Sequence, residues 1–107
     1  METGLTLPEG LLADVKNYLN ITWVDVATDQ KVTNILLNGM AYLNGKYGGA
    51  ADYSVQGLPR ALLFDYARYG RDDALDVFEN NFRASILAMQ NEKAVSDFVE
   101  STEQAET

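Results

Sequence analysis

The stretch Ala61–Asp73, ALLFDYARYGRDD, gathers the side chains best suited to chemistry: Asp65, Tyr66, Arg68, Tyr69, Arg71, Asp72 and Asp73 around Gly70. Phenols and carboxylates beside two guanidinium groups could move a proton or grip an anion. Their spacing favours a plainer role. Arg68 suits the negative end of one helix dipole, and Asp72 or Asp73 the positive start of the next. Asp65 and Arg68 are three apart, which pairs charges on a helix surface for a few tenths of a kcal/mol. The stretch therefore reads as a junction, with Gly70 as the stop and an aspartate as the next cap.

Other constellations are weaker. Asp76, Glu79, Asn80 and Arg83 share a polar side, but a carboxylate pair needs burial to separate its pKa values, and these lie opposite the apolar face. GKYGG lacks both the spacing and the preceding strand of a phosphate loop. Trp23 suits either an interface anchor or a cover over the end of the core. The chain has no histidine and no cysteine. That removes the commonest general base, the commonest metal ligand and any thiolate site, so neither an enzyme nor a cofactor or metal is expected.

The 107 residues are enough for one domain with a core, and 47% hydrophobic against 22% charged residues is a globular balance. No apolar run reaches membrane-spanning length and no signal-peptide pattern opens the chain, so a soluble intracellular protein is expected. The formal net charge of -8 disfavours sequence-reading DNA binding, yet suits a wall that DNA passes without sticking.

Four segments have helical periodicity and none alternates as a strand. Thr6 and Glu9 suit a capping box before a short helix with Leu11, Leu12, Val15, Tyr18 and Leu19 on one face. Asp25 or Thr28 would cap a longer helix to about Tyr47, with Val32, Ile35, Leu36, Gly39, Met40 and Leu43 inward. Gly39 on that face implies close approach of another helix, because glycine there costs about 1 kcal/mol against alanine. Gly48 and Gly49 end it. A loop of about ten residues leads to a third helix with Pro59 in its first turn, Leu62, Leu63, Tyr66 and Tyr69 inward and Phe64 outward. Asp72 or Asp73 would cap a fourth helix, from Ala74 to about Glu92 or beyond, with Phe78, Phe82, Ile86 and Met89 on its main face. Val77, Ala84 and Ala88 form a second stripe, and Leu87 is also off the main face. Beyond Lys93 the chain turns acidic, and a free tail of that composition is expected to be disordered. The expected fold is all-α: a four-helix bundle over residues 1–92, a long loop between helices 2 and 3, and a C-terminal tail over 93–107.

Three pieces in this order, LLADVKNYLNITW, TDQKVTNILLNGMAYLNGKYGG and LPRALLFDYARYGRDDALDVFENNFRASILAMQNE, resemble the head–tail connector proteins of long-tailed bacteriophages, also called head-completion or adaptor proteins. The resemblance runs to about Glu92. It implies a non-catalytic helical subunit that forms a homo-oligomeric ring, usually a dodecamer, beneath the portal protein. Such a ring extends the DNA channel and docks a further tail-proximal connector or stopper protein. It also implies a virion location at the head–tail interface, reached from the host cytoplasm, with no membrane partner. The alternative is an acidic DNA-mimic inhibitor of a nucleic-acid-binding protein.

Surface arguments add expected sites. Phe64, Arg68, Arg71, Val77, Ala84 and Ala88 are expected at a subunit interface, since a ring contact joins two different faces. The loop residues Gly48, Gly49, Tyr53 and Gly57 are expected to face a neighbour or the channel. Val95, Phe98 and Val99 are expected to anchor the tail on the portal.

Overall fold

The structure is a computed structural model and describes residues 5–105, with side chains through residue 102. Among these residues it is all-helical. The helices are α1 (Leu11–Tyr18), α2 (Val26–Tyr47), α3 (Leu58–Arg71), a 3-10 turn (Leu75–Val77), α4 (Phe78–Asn81) and α5 (Arg83–Ala105). Five α-helices thus stand where four are expected.

The start of α1 differs from the capping-box expectation. Gly10, at φ 81, is the N-cap and no side chain caps the helix, so Thr6 and Glu9 lie outside it. Its end is a Schellman turn: Asn20 takes a left-handed φ of 62, and the Ile21 N–H donates to the Lys16 carbonyl at 2.8 Å. Ile21 then drops into the core. At α2, Asp25 is the N-cap and accepts from the Thr28 N–H at 3.0 Å. Gly48, at φ 90, ends the helix.

The most extensive helix contact is between α2 and α3, and two glycines permit it. A Cβ on Gly39 would lie 2.7 Å from Tyr66 Cδ1 and 2.8 Å from Leu63 Cδ1, so α3 occupies that space. The reciprocal notch is Gly70, where a Cβ would meet Ile35 Cγ2 at 2.7 Å. Gly70 is therefore a packing residue inside α3 and not its stop. The stop is a second Schellman turn with Asp73 in the left-handed place, at φ 57. The Asp73 N–H donates to the Gly70 carbonyl at 3.3 Å, and the Ala74 N–H to the Tyr69 carbonyl at 2.8 Å. Neither Asp72 nor Asp73 caps the next element; Ala74 is the N-cap of the 3-10 turn and no side chain caps it.

The expected single fourth helix is broken at Phe82, which has φ -112 and ψ 20. The break sits in an aromatic cluster. Phe78 is buried, stacks on Phe82 at 4.8 Å between centroids, and meets Tyr66, Tyr69 and Tyr42 edge-on at 5.3, 5.6 and 6.1 Å. Both phenylalanines reach the same cluster, and the chain turns there before α5 begins. Past the turn, Ile86 and Met89 complete the core beside Leu36, Met40, Leu43 and Leu63. The acidic segment beyond Lys93, expected to be disordered, continues α5 to Ala105.

The two kinds of helical glycine can be told apart by urea denaturation. Gly39→Ala should lower stability by about 1–2 kcal/mol, the overpacking penalty less the gain in helix propensity. Gly45→Ala, in the same helix with nothing within 4 Å of the new methyl, should raise it by about 0.5–1 kcal/mol.

Candidate functional site

α5 is apolar on two opposite sides. Phe82, just before it, with Ile86 and Met89 faces the core. Ala84, Leu87, Ala88, Ala94, Val95, Phe98 and Val99 are all exposed, and at 100° per residue they fall within about 140° of arc on the far side. Residues 84, 88, 91, 95 and 98 repeat at intervals of four and three, the spacing of a helix–helix seam. Leu87 is 56% exposed, Val95 62%, Phe98 71% and Val99 46%. A run of apolar side chains this open makes the face the candidate site. The charged residues of the segment, Glu92, Lys93, Asp97 and Glu100, lie off the seam, and Lys93 donates to Asp97.

Two groups kept apart in the sequence reading are thus one surface. The stripe Ala84–Ala88 and the tail residues Val95, Phe98 and Val99 are continuous because the helix does not stop at Glu92. Val77, also exposed, precedes the seam on the 3-10 turn. Leu87, read from the sequence as off the main face, belongs to the seam, and so does Asn91, which the sequence reading did not single out. The four-three spacing running across Glu92 was the signal that could have found them.

The remaining expected interface residues do not join this surface. Phe64 is half-buried, with Tyr18 edge-on at 5.5 Å and the Arg60 guanidinium at 4.8 Å from its ring, which corrects its outward assignment. Arg71 donates from Nη1 to the Leu19 carbonyl at 2.7 Å and lies 6.0 Å from the Trp23 ring. It closes the end of α1. Arg68 is exposed over the Tyr69 ring at 4.9 Å. Trp23, 47% exposed, forms with Val24 and Val26 a separate apolar patch at the turn into α2.

Tyr53 is a correction as well. It is 2% exposed and does not face outward. Its hydroxyl donates to Asn44 Oδ1 at 2.7 Å, and the same oxygen accepts from the Ala51 N–H at 3.1 Å. Arg60 Nη1 donates to the Tyr53 carbonyl at 3.0 Å, while its Nη2 meets Asp14 Oδ2 at 2.8 Å. Tyr53 thus pins the long loop to the bundle. Gly48, Gly49 and Gly57 are exposed around it.

Polar groups are engaged elsewhere. Tyr42 donates its hydroxyl to Glu79 Oε1 at 2.6 Å, and Lys46 Nζ lies 3.0 Å from the same oxygen. Those two contacts lower the Glu79 pKa, that of Tyr42 first, while burial and then Glu79 raise that of Tyr42. A cleft of about 430 Å³ along Val26, Asp29, Gln30, Thr33 and Asn34 holds a single carboxylate, and Lys16 meets it at 2.6 Å. Among the described residues no three histidines, cysteines or carboxylates are grouped to hold a metal ion, and no helix is long and apolar enough to cross a membrane.

Fold and surface together define a class: a small all-helical protein whose last helix presents a second, outward apolar face. Comparison with family models, curated proteins and solved structures finds no match.

Burial, and then the charge of Tyr47, pushes the Tyr53 phenol from 10.0 up to about 12. Folding therefore favours the neutral phenol. Its contribution is fully present below the unfolded value and is lost as pH rises through that window. The urea midpoint should fall as pH rises from 10 to 12, and Tyr53→Phe should flatten part of that fall while costing about 1 kcal/mol at pH 7. An unchanged alkaline profile in Tyr53→Phe would contradict the burial argument.

Proposed function

We propose that this chain is a structural subunit of the head–tail connector of a long-tailed bacteriophage. In this reading it forms a ring, expected to be a dodecamer, beneath the portal protein. The ring extends the DNA channel and docks the next tail-proximal connector or stopper protein, in the virion and, during assembly, in the host cytoplasm. The observation that carries the reading is the outward face of α5, apolar surface beyond what one core needs. A subunit in a cyclic ring meets its neighbours through two different faces. The α5 seam and the Trp23–Val24–Val26 patch are two such candidates on different elements. The three-segment resemblance supplies the family, and the net charge of -8 suits DNA passage without adhesion.

A DNA-mimic inhibitor is less well supported. Such a protein needs unpaired carboxylates arrayed like phosphates. Here Asp14, Asp29, Asp65, Glu79 and Asp97 each have a lysine or arginine within 4.0 Å.

Purified protein mixed with its portal should co-assemble into rings visible by electron microscopy and mass measurement. Replacing Phe98 and Val99 with serine should weaken portal attachment at least tenfold, with helicity retained by circular dichroism. No co-assembly under any condition, or unchanged attachment of the double variant, would count against this function.

A further inference from the structure

We infer that in the free protein the outward face of α5 is covered by a second copy of the same helix, lying antiparallel to it. The inference rests on α5 being an assembly surface, though not on which assembly it serves.

Four observations point to a helix of this kind as the occupant. The seam repeats at four and three residues from Ala84 through Asn91 to Phe98, which suits a partner that is itself a helix. The residues on it are uncharged, while the charges of α5 lie off it and are uneven along its length: Arg83 at the start, and Glu92, Lys93, Asp97 and Glu100, a net acidic set with Lys93 bonded to Asp97, towards the end. An antiparallel copy brings Arg83 towards the net acidic end of the second copy and sets the two helix dipoles head to tail. A parallel copy would align like charges with like. The sizes are complementary in that orientation. The small end, Ala84 and Ala88, meets the large end, Val95 and Phe98, and the two Asn91 amides come within reach of each other near the centre. A polar residue at one seam position is the device that fixes register and number of strands.

The area is also sufficient, though modest. Leu87, Val95, Phe98 and Val99 are each about half exposed or more. Pairing two faces of this length covers on the order of 1,000 Å² in all, the lower limit for a specific interface. A reversible dimer follows, weak enough for a ring neighbour or the portal to displace it. From Ala94 to residue 102 every side chain of α5 is exposed. A helical stretch that short has marginal stability in water without a partner.

The test uses the full chain alone. Sedimentation equilibrium from about 1 to 100 µM should give a monomer–dimer equilibrium. Leu87→Glu combined with Phe98→Glu should weaken it at least tenfold, with α-helical circular dichroism from the bundle retained. The chain has no cysteine, so orientation can be read directly. Ala88→Cys mixed with Val95→Cys, opposite each other when the two Asn91 residues meet, should give the disulfide-linked heterodimer on mild oxidation, and neither variant alone should cross-link. A monomer throughout, a ring as the smallest oligomer, or efficient cross-linking of either single variant with itself would overturn the inference. No portal is present in these measurements. A negative result therefore leaves the connector reading standing, and a failure of portal co-assembly leaves the dimer standing.

Discussion

The close approach of α2 and α3 is the constraint on which the rest of the structure depends. Gly39 lets Leu63 and Tyr66 press onto the α2 backbone, and Gly70 lets Ile35 press onto that of α3. Two helices that meet through notches of this kind have one register. That register aligns Tyr42, Tyr66 and Tyr69 into a single aromatic wall. Phe78 and Phe82 close on the wall, and the helix is interrupted at Phe82. The direction of α5 follows from that break.

α5 then has two tasks. Ile86 and Met89 seal the core, and the helix keeps going after the core has ended. Its distal part has no intramolecular reason to be apolar, yet it carries Val95, Phe98 and Val99 in phase with Ala84 and Ala88. Surface of this kind lowers solubility unless something covers it. Assembly on a partner, as proposed above, would give a physical reason for it.

The polar chemistry of the chain serves structure. Arg60 ties α1 to the long loop through Asp14 and the Tyr53 carbonyl, and Arg71 closes the end of α1 through the Leu19 carbonyl. Tyr42, Glu79 and Lys46 link α2 to α4. The aspartates of ALLFDYARYGRDD end a helix: Asp73 occupies the left-handed position that glycine usually takes, a place where aspartate is tolerated because its short side chain can bond locally.

Local signals in the sequence determined much of this protein. The all-helical class, the Asp25 cap, the Gly48 stop, the inward faces of α2 and α3 and the packing role of Gly39 are all legible, because each depends on residues within one or two turns of one another. Tertiary structure alone decided the others. Gly70 resembles a stop until Ile35 is seen to occupy its side-chain space. Tyr53 resembles an exposed loop residue until Asn44, from the preceding helix, is seen to receive its hydroxyl. The aromatic wall that receives Phe78 and Phe82 is built from α2 and α3, far from them in sequence. The outward seam was half legible: its spacing is written in the sequence, but composition argued for a disordered tail after Lys93. Composition reports only how much apolar surface a segment can bury within its own domain. A helix that carries apolar surface beyond its own core escapes that accounting.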